Sequence, residues 1–337
     1  MQIISDPIDM DLLDKWQRDL PICDRPFQVI ASHLGLEEED VIARLTRMHT
    51  AGRITRIGAT CAPNTASAST LAAVAAPPEY IEEVAAVIAD FTGVNHSYQR
   101  ENRLNLWFVA TGPDRAHVDA TLSGIAEATG LDVLDLRLKR PFNVDLGFSM
   151  TGTTEQSAAP RPVARRADMS AMQTGDRAIL QHLTEGLAIA PRPFAELAAR
   201  LNRSEAQVSD RIETLLGAGI ISRLGVIVRH RALGWRANAM VVWDLPPEQI
   251  TKAGPCLAAL PGVTLCYERR PVPDLWPYRL YNMIHARSRD EAKGVLARAR
   301  ALTCLRDVPH KVLFSTRCFK QTGALISLQS TQPGTVA

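Results

Sequence analysis

Two stretches of the chain carry side chains whose types and spacing could do chemistry. In the first, His96, Tyr98 and Arg100 alternate along Val94-Asn95-His96-Ser97-Tyr98-Gln99-Arg100, with Asn105-Leu106-Trp107-Phe108-Val109 close behind. In the second, Cys266-Tyr267-Glu268-Arg269-Arg270 precedes Asp274-Leu275-Trp276-Pro277-Tyr278-Arg279-Leu280-Tyr281-Asn282-Met283-Ile284-His285. Alternation along an extended strand sends His96, Tyr98 and Arg100 to one face. A planar guanidinium grips carboxylates through paired hydrogen bonds and stays charged. An imidazole, with an ordinary pKa of about 6.5, exchanges a proton near neutral pH. Arg100 and Arg103 in one stretch, with Arg269, Arg270 and Arg279 in the other, form two basic clusters, and Arg140, Lys311 and Arg317 could extend the rim. For any one arginine the competing reading is a solvated surface position; for Trp107, Phe108, Trp276 and Tyr281 it is ordinary strand core. His285 ends its strand, and His33, His49, His117, His182, His230 and His310 lie outside both stretches.

Positioning these groups requires regular elements, and the chain writes those elements twice. Arg25-Pro26-Phe27 recurs as Arg192-Pro193-Phe194, and Arg53-Ile54-Thr55-Arg56-Ile57-Gly58 as Ile220-Ile221-Ser222-Arg223-Leu224-Gly225. Between these anchors, apolar residues three or four apart predict a tri-helical winged-helix module, closed at Gly52 and Gly219 before a short β-wing. After each wing, strand-like and helix-like segments follow in the order β-α-β-β-α-β. The expected fold is therefore α+β, a tandem repeat of winged helix-turn-helix plus ferredoxin-like sandwich. Its expected boundaries are 1–60 and 61–150 for the first module and sandwich, and 175–234 and 235–330 for the second. A flexible Gly/Ser/Pro/Arg-rich linker is expected over 151–174. The two halves are expected to pack as an internal pseudo-dimer with a site between the sheets.

Bulk composition excludes little but sets the frame. With 337 residues, 46% hydrophobic and 22% charged, the chain can bury two or more cores. A formal net charge of +2 gives no general case for a polyanionic partner. Six cysteines, at 23, 61, 256, 266, 304 and 318, form neither a CxxC pair nor a zinc-ligand grouping, and read as reduced thiols. No signal-like start or long apolar run is visible, so the expectation is a cytoplasmic protein without a membrane role.

A winged helix followed by a ferredoxin-like sandwich resembles the Lrp/AsnC regulators. Against a DNA-binding role stands the charge of the helical modules. Acids number eight against seven bases from Asp11 to Arg56, and six against six from Asp176 to Arg223. The first recognition helix opens with Glu37-Glu38-Glu39-Asp40, which phosphates would repel. No nucleic-acid partner is expected. The His96-Ser97-Tyr98-Gln99-Arg100 and Asn105-Leu106-Trp107-Phe108 run is similar to the "HxYxR…NLWF" signature of siroheme decarboxylases. Cys266-Tyr267-Glu268-Arg269 and Trp276-Pro277-Tyr278-Arg279-Leu280-Tyr281-Asn282-Met283-Ile284-His285 resembles the partner subunit's "CYxR…WPYNLYxMIH". The likeness covers nearly the whole chain outside the linker.

What this resemblance implies is a carboxy-lyase acting on siroheme to give mono- or didecarboxysiroheme in haem d1 biosynthesis. His96, Tyr98 and Arg100 would be catalytic; Arg103, Trp107, Tyr267, Arg269, Arg270, Arg279 and His285 would bind substrate. No cofactor beyond the substrate's own macrocycle is implied, and no protein metal site, though His96 could ligate the substrate iron. Siroheme is the expected partner; a second protein of the same family and a homo-oligomer both remain open. One departure stands out: aligning Tyr98 with Tyr267 puts Leu265 opposite His96, and leucine neither gives a proton nor binds iron. The expectation is one competent centre rather than two. Two alternatives stay open at this point: a ligand-sensing regulator of the Lrp/AsnC type, and a non-catalytic tetrapyrrole carrier.

Overall fold

The computed structural model describes residues 6–144, 147 and 166–328. Residues 151–165 of the expected linker lie outside the described residues, and the remainder holds one 3-10 turn, Met169–Ala171.

The repeated Arg-Pro-Phe motif starts the second helix of each winged-helix module. Pro26 opens α2 (Pro26–Leu34) and Pro193 opens α7 (Pro193–Arg200), where the missing N–H costs nothing and the fixed φ suits a first turn. The phenylalanines that follow, Phe27 and Phe194, are fully buried, each contributing roughly 1.5–3 kcal/mol. Around them pack α1 (Pro7–Lys15) and α3 (Glu38–Thr50) in one module, α6 (Asp176–Glu185) and α8 (Glu205–Gly217) in the other. Asp6 caps α1 by accepting from Ile8 N and Asp9 N, and Ser204 with Gln207 closes a capping box on α8.

The wings depart from expectation. Each half supplies one strand, β1 (Ile54–Cys61) and β6 (Ile221–Val228), and these pair antiparallel with each other, Gly58 opposite Gly225. Each edge is satisfied by its twin in the other half. The paired glycines allow close approach: a Cβ on Gly58 would sit 2.2 Å from Leu183 O, and one on Gly225 2.5 Å from Trp16 O. The first helix of each half thus ends against the other half's strand, where Leu187 N donates to Ile57 O and Val226 N to Trp16 O. One hydrophobic core unites both modules.

The remaining strands are β2 (Ala68–Val74), β3 (Val94–Arg100), β4 (Leu106–Gly112) and β5 (Leu134–Asn143), then β7 (Ala237–Trp243), β8 (Val263–Arg269), β9 (Leu280–Ala286) and β10 (His310–Gln321). Within each half the ladder order is that of a ferredoxin-like sheet, β3-β4-β2-β5 and β8-β9-β7-β10. The sheets join edge to edge at two seams, β3–β10 and β5–β8, closing an eight-stranded barrel with no free edge. Helices α4 (Ile81–Asp90) and α5 (Arg115–Thr129) cover one outer face, α9 (Pro247–Ala258) and α10 (Arg289–Ala301) the other. Alternation then fixes orientation: Phe108 turns out to the helices while Trp107 turns in, beside Tyr267, Trp276 and Tyr281. Past β10 the chain ties the barrel to α6, with Leu325 N donating to Thr111 Oγ1 and Ile326 N to Gln181 Oε1.

Candidate active site

His96, Tyr98 and Arg100 lie on the inward face of β3, opposite Val109 and Trp107 of β4 and beside β10 at the first seam. The strand spacing spreads them over about 13 Å. The His96 and Tyr98 rings stack 6.3 Å apart at 23°, and the Arg100 guanidinium carbon sits 5.7 Å from the Tyr98 ring centre. Arg100 is 7% exposed. Its Nη1 donates to Leu313 O at 3.3 Å and its Nη2 points at Met283 Sδ at 4.0 Å, and no carboxylate pairs with it among the described residues. Burial depresses its pKa, opposed by Tyr267 and Tyr98. A guanidinium buried without a counter-ion is costly and suits a carboxylate brought from outside.

His285 reaches the same recess from β9. Thr264 Oγ1 lies 2.7 Å from His285 Nδ1 and 3.1 Å from Met283 O, so this hydroxyl holds the imidazole ring in place. His230, 9% exposed, places its ring 5.7 Å from that of His285. Burial, then the charge of Arg100, pulls the His285 pKa down from 6.5 to about 3. Burial, then the charge of Arg56, brings His96 down to about 4. Both imidazoles are therefore held neutral at pH 7, with His96 the more exposed of the two. Tyr98 stays protonated, its pKa raised by burial and by Cys318 against the pull of Arg100 and Arg231.

Arg103 on the β3–β4 hairpin and Arg270 on the β8–β9 hairpin are exposed, and Arg279, just before β9, is half-buried with Nη1 3.5 Å from Pro277 O. Arg269 occupies the position on β8 that Arg100 occupies on β3, and Nη1 donates to Leu136 O at 2.6 Å. Its guanidinium lies 4.6 Å from the Tyr267 ring centre. Arg140 pairs with Glu268 and Arg317 with Glu82. Trp107 and Trp276 are barrel core, 5.2 Å apart, with Trp107 Nε1 bound to Leu104 O and Trp276 Nε1 to the Tyr281 hydroxyl. The cations that do gather are Arg56 from β1 and the Arg229-His230-Arg231 run just past β6. Arg231 donates to the carbonyls of Arg236 and Ser315, two residues that line an open hollow of about 390 Å³ together with Arg287, Arg289, Phe314 and Thr316. Sequence reading missed these residues. The available signal was an asymmetry in the repeat, Arg229-His230-Arg231 standing where the first half has Ala62-Pro63-Asn64.

Among the described residues no three His, Cys, Asp or Glu side chains converge on a metal site, and no helix is long and apolar enough to cross a membrane. The arrangement offers a buried guanidinium without an acidic partner among the described residues and two imidazoles held neutral at pH 7.

This architecture defines a class, paired winged helices carrying a fused pair of ligand-binding sandwiches. Residues 66–143 and 232–320 match the AsnC-like ligand binding domain, and residues 9–54 and 176–221 match the siroheme decarboxylase NirDL-like HTH domain. The chain is 55% identical over 322 residues to the siroheme decarboxylase NirDL subunit of Paracoccus denitrificans (strain Pd 1222), covering 96% of this chain and 98% of that one. It is 29% identical to the siroheme decarboxylase of Hydrogenobacter thermophilus, with 90% of each chain covered. Its fold superposes on a crystal structure of the siroheme decarboxylase NirDL with a TM-score of 0.64, at 26% identity and covering 94% and 93% of the two chains. The chain belongs to the siroheme decarboxylase family.

Proposed function

We propose that this chain decarboxylates siroheme, removing carbon dioxide from ring acetates to give mono- or didecarboxysiroheme on the way to haem d1. The observation that carries the reading is Arg100: a buried guanidinium with no acidic partner among the described residues, close enough to His285 for its charge to lower that imidazole's pKa. In each step the C–C bond to an acetate carboxylate breaks, carbon dioxide leaves, and the electron pair on the ring methylene takes a proton to become a methyl group. The macrocycle delocalises the developing charge, so no further cofactor is called for. Arg100, with Arg231 and the arginine-lined hollow, holds the carboxylates that stay. His96 is the proton donor or the group that orients the reacting acetate, with Tyr98 fixing its ring by stacking. A polyanionic substrate raises the pKa of a neighbouring imidazole, so binding itself favours the protonated form of His96. His285, its ring held in place by Thr264, is the second imidazole that faces the pigment.

The ion pairs of the helical modules favour this reading over a DNA-binding regulator. Arg44 and Arg47, the bases of the first recognition helix, both pair with Asp9, and Arg211 of the second pairs with Asp176. Cations already neutralised within their own module contribute little to phosphate binding. Anaerobic incubation with siroheme, followed by mass analysis of the pigment, tests the assignment. Loss of one or two carbon dioxides per pigment is expected; a pigment that co-purifies unchanged would make the chain a carrier.

A further inference from the structure

One buried polar side chain of the barrel interior is left unpaired by everything described above. Asn238 of β7 is 7% exposed, and its Oδ1 is sealed from solvent with no hydrogen-bond partner among the described residues. A carboxamide carries two donors and an acceptor, and a buried one is normally paired. Alternation places it on the inward face with Met240 and Val242, between the outward Ala237 and Ala239. Its neighbour on β9 is His285. On the other side the β7–β10 ladder ends at Ala239 with Phe314, so the next residues along are Asn238 and Ser315, and Ser315 stands opposite Arg100 of β3. His285, Asn238, Ser315 and Arg100 therefore form one row across four neighbouring strands.

The Arg100 side chain leans over the next inward row. Its guanidinium meets Leu313 O and Met283 Sδ, and Met240, on the strand between those two, pairs with both Leu313 and Met283. Asn238 is two residues from Met240, about 7 Å along the strand. Arg100 Nε is also buried without an acceptor among the described residues. The fold itself does not call for an amide at this position: where the second half sets Asn238 opposite His285, the first sets Ser69 opposite Thr111.

Building on the reading of this recess as a siroheme site, we infer that Asn238 is a further substrate-binding residue, and that its carboxamide and the Arg100 guanidinium grip one and the same carboxylate of the pigment. Half a turn about Cβ–Cγ swings the amide N–H into the buried position that Oδ1 holds in the free chain. There it donates to one carboxylate oxygen while Arg100 Nε donates to the other. The carboxylate held in this way is one that stays on the ring. Carbon dioxide leaves as a neutral molecule, so a reacting carboxylate loses its charge on the way to the transition state, and a tight grip on the ionised form would retard that loss. A neutral amide suits the position because it adds a donor without giving Arg100 an internal counter-ion, which an aspartate of the same shape would do.

Anaerobic absorbance titration of the full chain with siroheme, in single and double variants, tests the shared grip. Asn238→Ser installs the residue that the first half uses at the matching position and should weaken Kd roughly tenfold. In the Arg100→Met background the carboxylate is already released, so the same change should move Kd by less than about threefold. Asn238→Asp should raise the melting temperature by pairing with Arg100, and weaken siroheme binding by about a hundredfold or more as like charges meet. An unaltered Kd in Asn238→Ser, or an equal loss with and without Arg100, overturns the inference and leaves the decarboxylase reading intact; so does Asn238→Asp that binds siroheme as before. Should the serine variant unfold, the aspartate variant decides alone. Failure of the unaltered chain to bind siroheme removes that reading and this inference with it.

Discussion

Replacing Arg100 by methionine separates binding from folding more cleanly than any other single change. In the free chain the guanidinium is 7% exposed, holds one 3.3 Å bond to Leu313 O, and meets no carboxylate among the described residues. Such a charge costs desolvation energy that one neutral acceptor does not repay. Arg100→Met keeps the length and packing against Met283 and removes that cost, so the melting temperature should hold or rise. Binding should move the other way. A charge-assisted hydrogen bond to a substrate carboxylate is worth roughly 1.5–3 kcal/mol, which at about 1.4 kcal/mol per decade is a loss of about 10- to 150-fold in Kd. A third readout is internal: the Arg100 charge is one of the two causes holding His285 at about 3, so the His285 pKa should rise in the variant, visible in an NMR pH titration of the imidazoles. Anaerobic absorbance titration with siroheme measures the Kd. Unaltered affinity would refute the role of Arg100 as the carboxylate partner. A steep drop in melting temperature would show that it is a structural strut.

His96→Ala should still bind siroheme but release little carbon dioxide, read by single-turnover mass analysis; full activity would remove the proton or orienting role. The depressed imidazoles predict pH-dependent stability. His96 and His285 titrate at 6.5 when unfolded but at about 4 and about 3 when folded, so the unfolded chain binds more protons below pH 6.5. Stability should therefore be level above that pH and fall between about 6.5 and 3; denaturant midpoints that stay flat from pH 7 to 4.5 would contradict the desolvation of the two rings. Gly58→Ala places a methyl 2.2 Å from the Leu183 carbonyl, where only backbone can yield. A loss of about 1–3 kcal/mol is expected by denaturant unfolding, and a neutral result would mean that the ribbon and α6 are not packed as described.

The local half of this structure was legible in sequence because its causes are local. Period-two alternation put His96, Tyr98 and Arg100 on one face, and the β-α-β-β-α-β order with its gapless repeat led to two ferredoxin-like sheets and their helical modules. Leu265 opposite His96 signalled the inequality of the halves from the alignment of two tyrosines alone. Less legible was which distant residues the fold adds. Arg103, Arg270 and Arg279, near the signatures along the chain, stand exposed or half-buried on the hairpins. Arg56, Arg229 and Arg231, distant along the chain from both signatures, come in from the pairing of β1 with β6.

The sequence by itself determined the elements, their order, the inward or outward sense of each side chain and the chemical types on offer, since these follow from backbone period and residue identity. Only the tertiary structure decided that the wings pair with each other, that the sheets close at two seams, and that Arg100, His285 and His230 share one recess. Those outcomes depend on contacts between residues more than a hundred positions apart. The same contacts set the protonation of His96 and His285, because desolvation and a neighbour's charge depend on what surrounds a side chain in space.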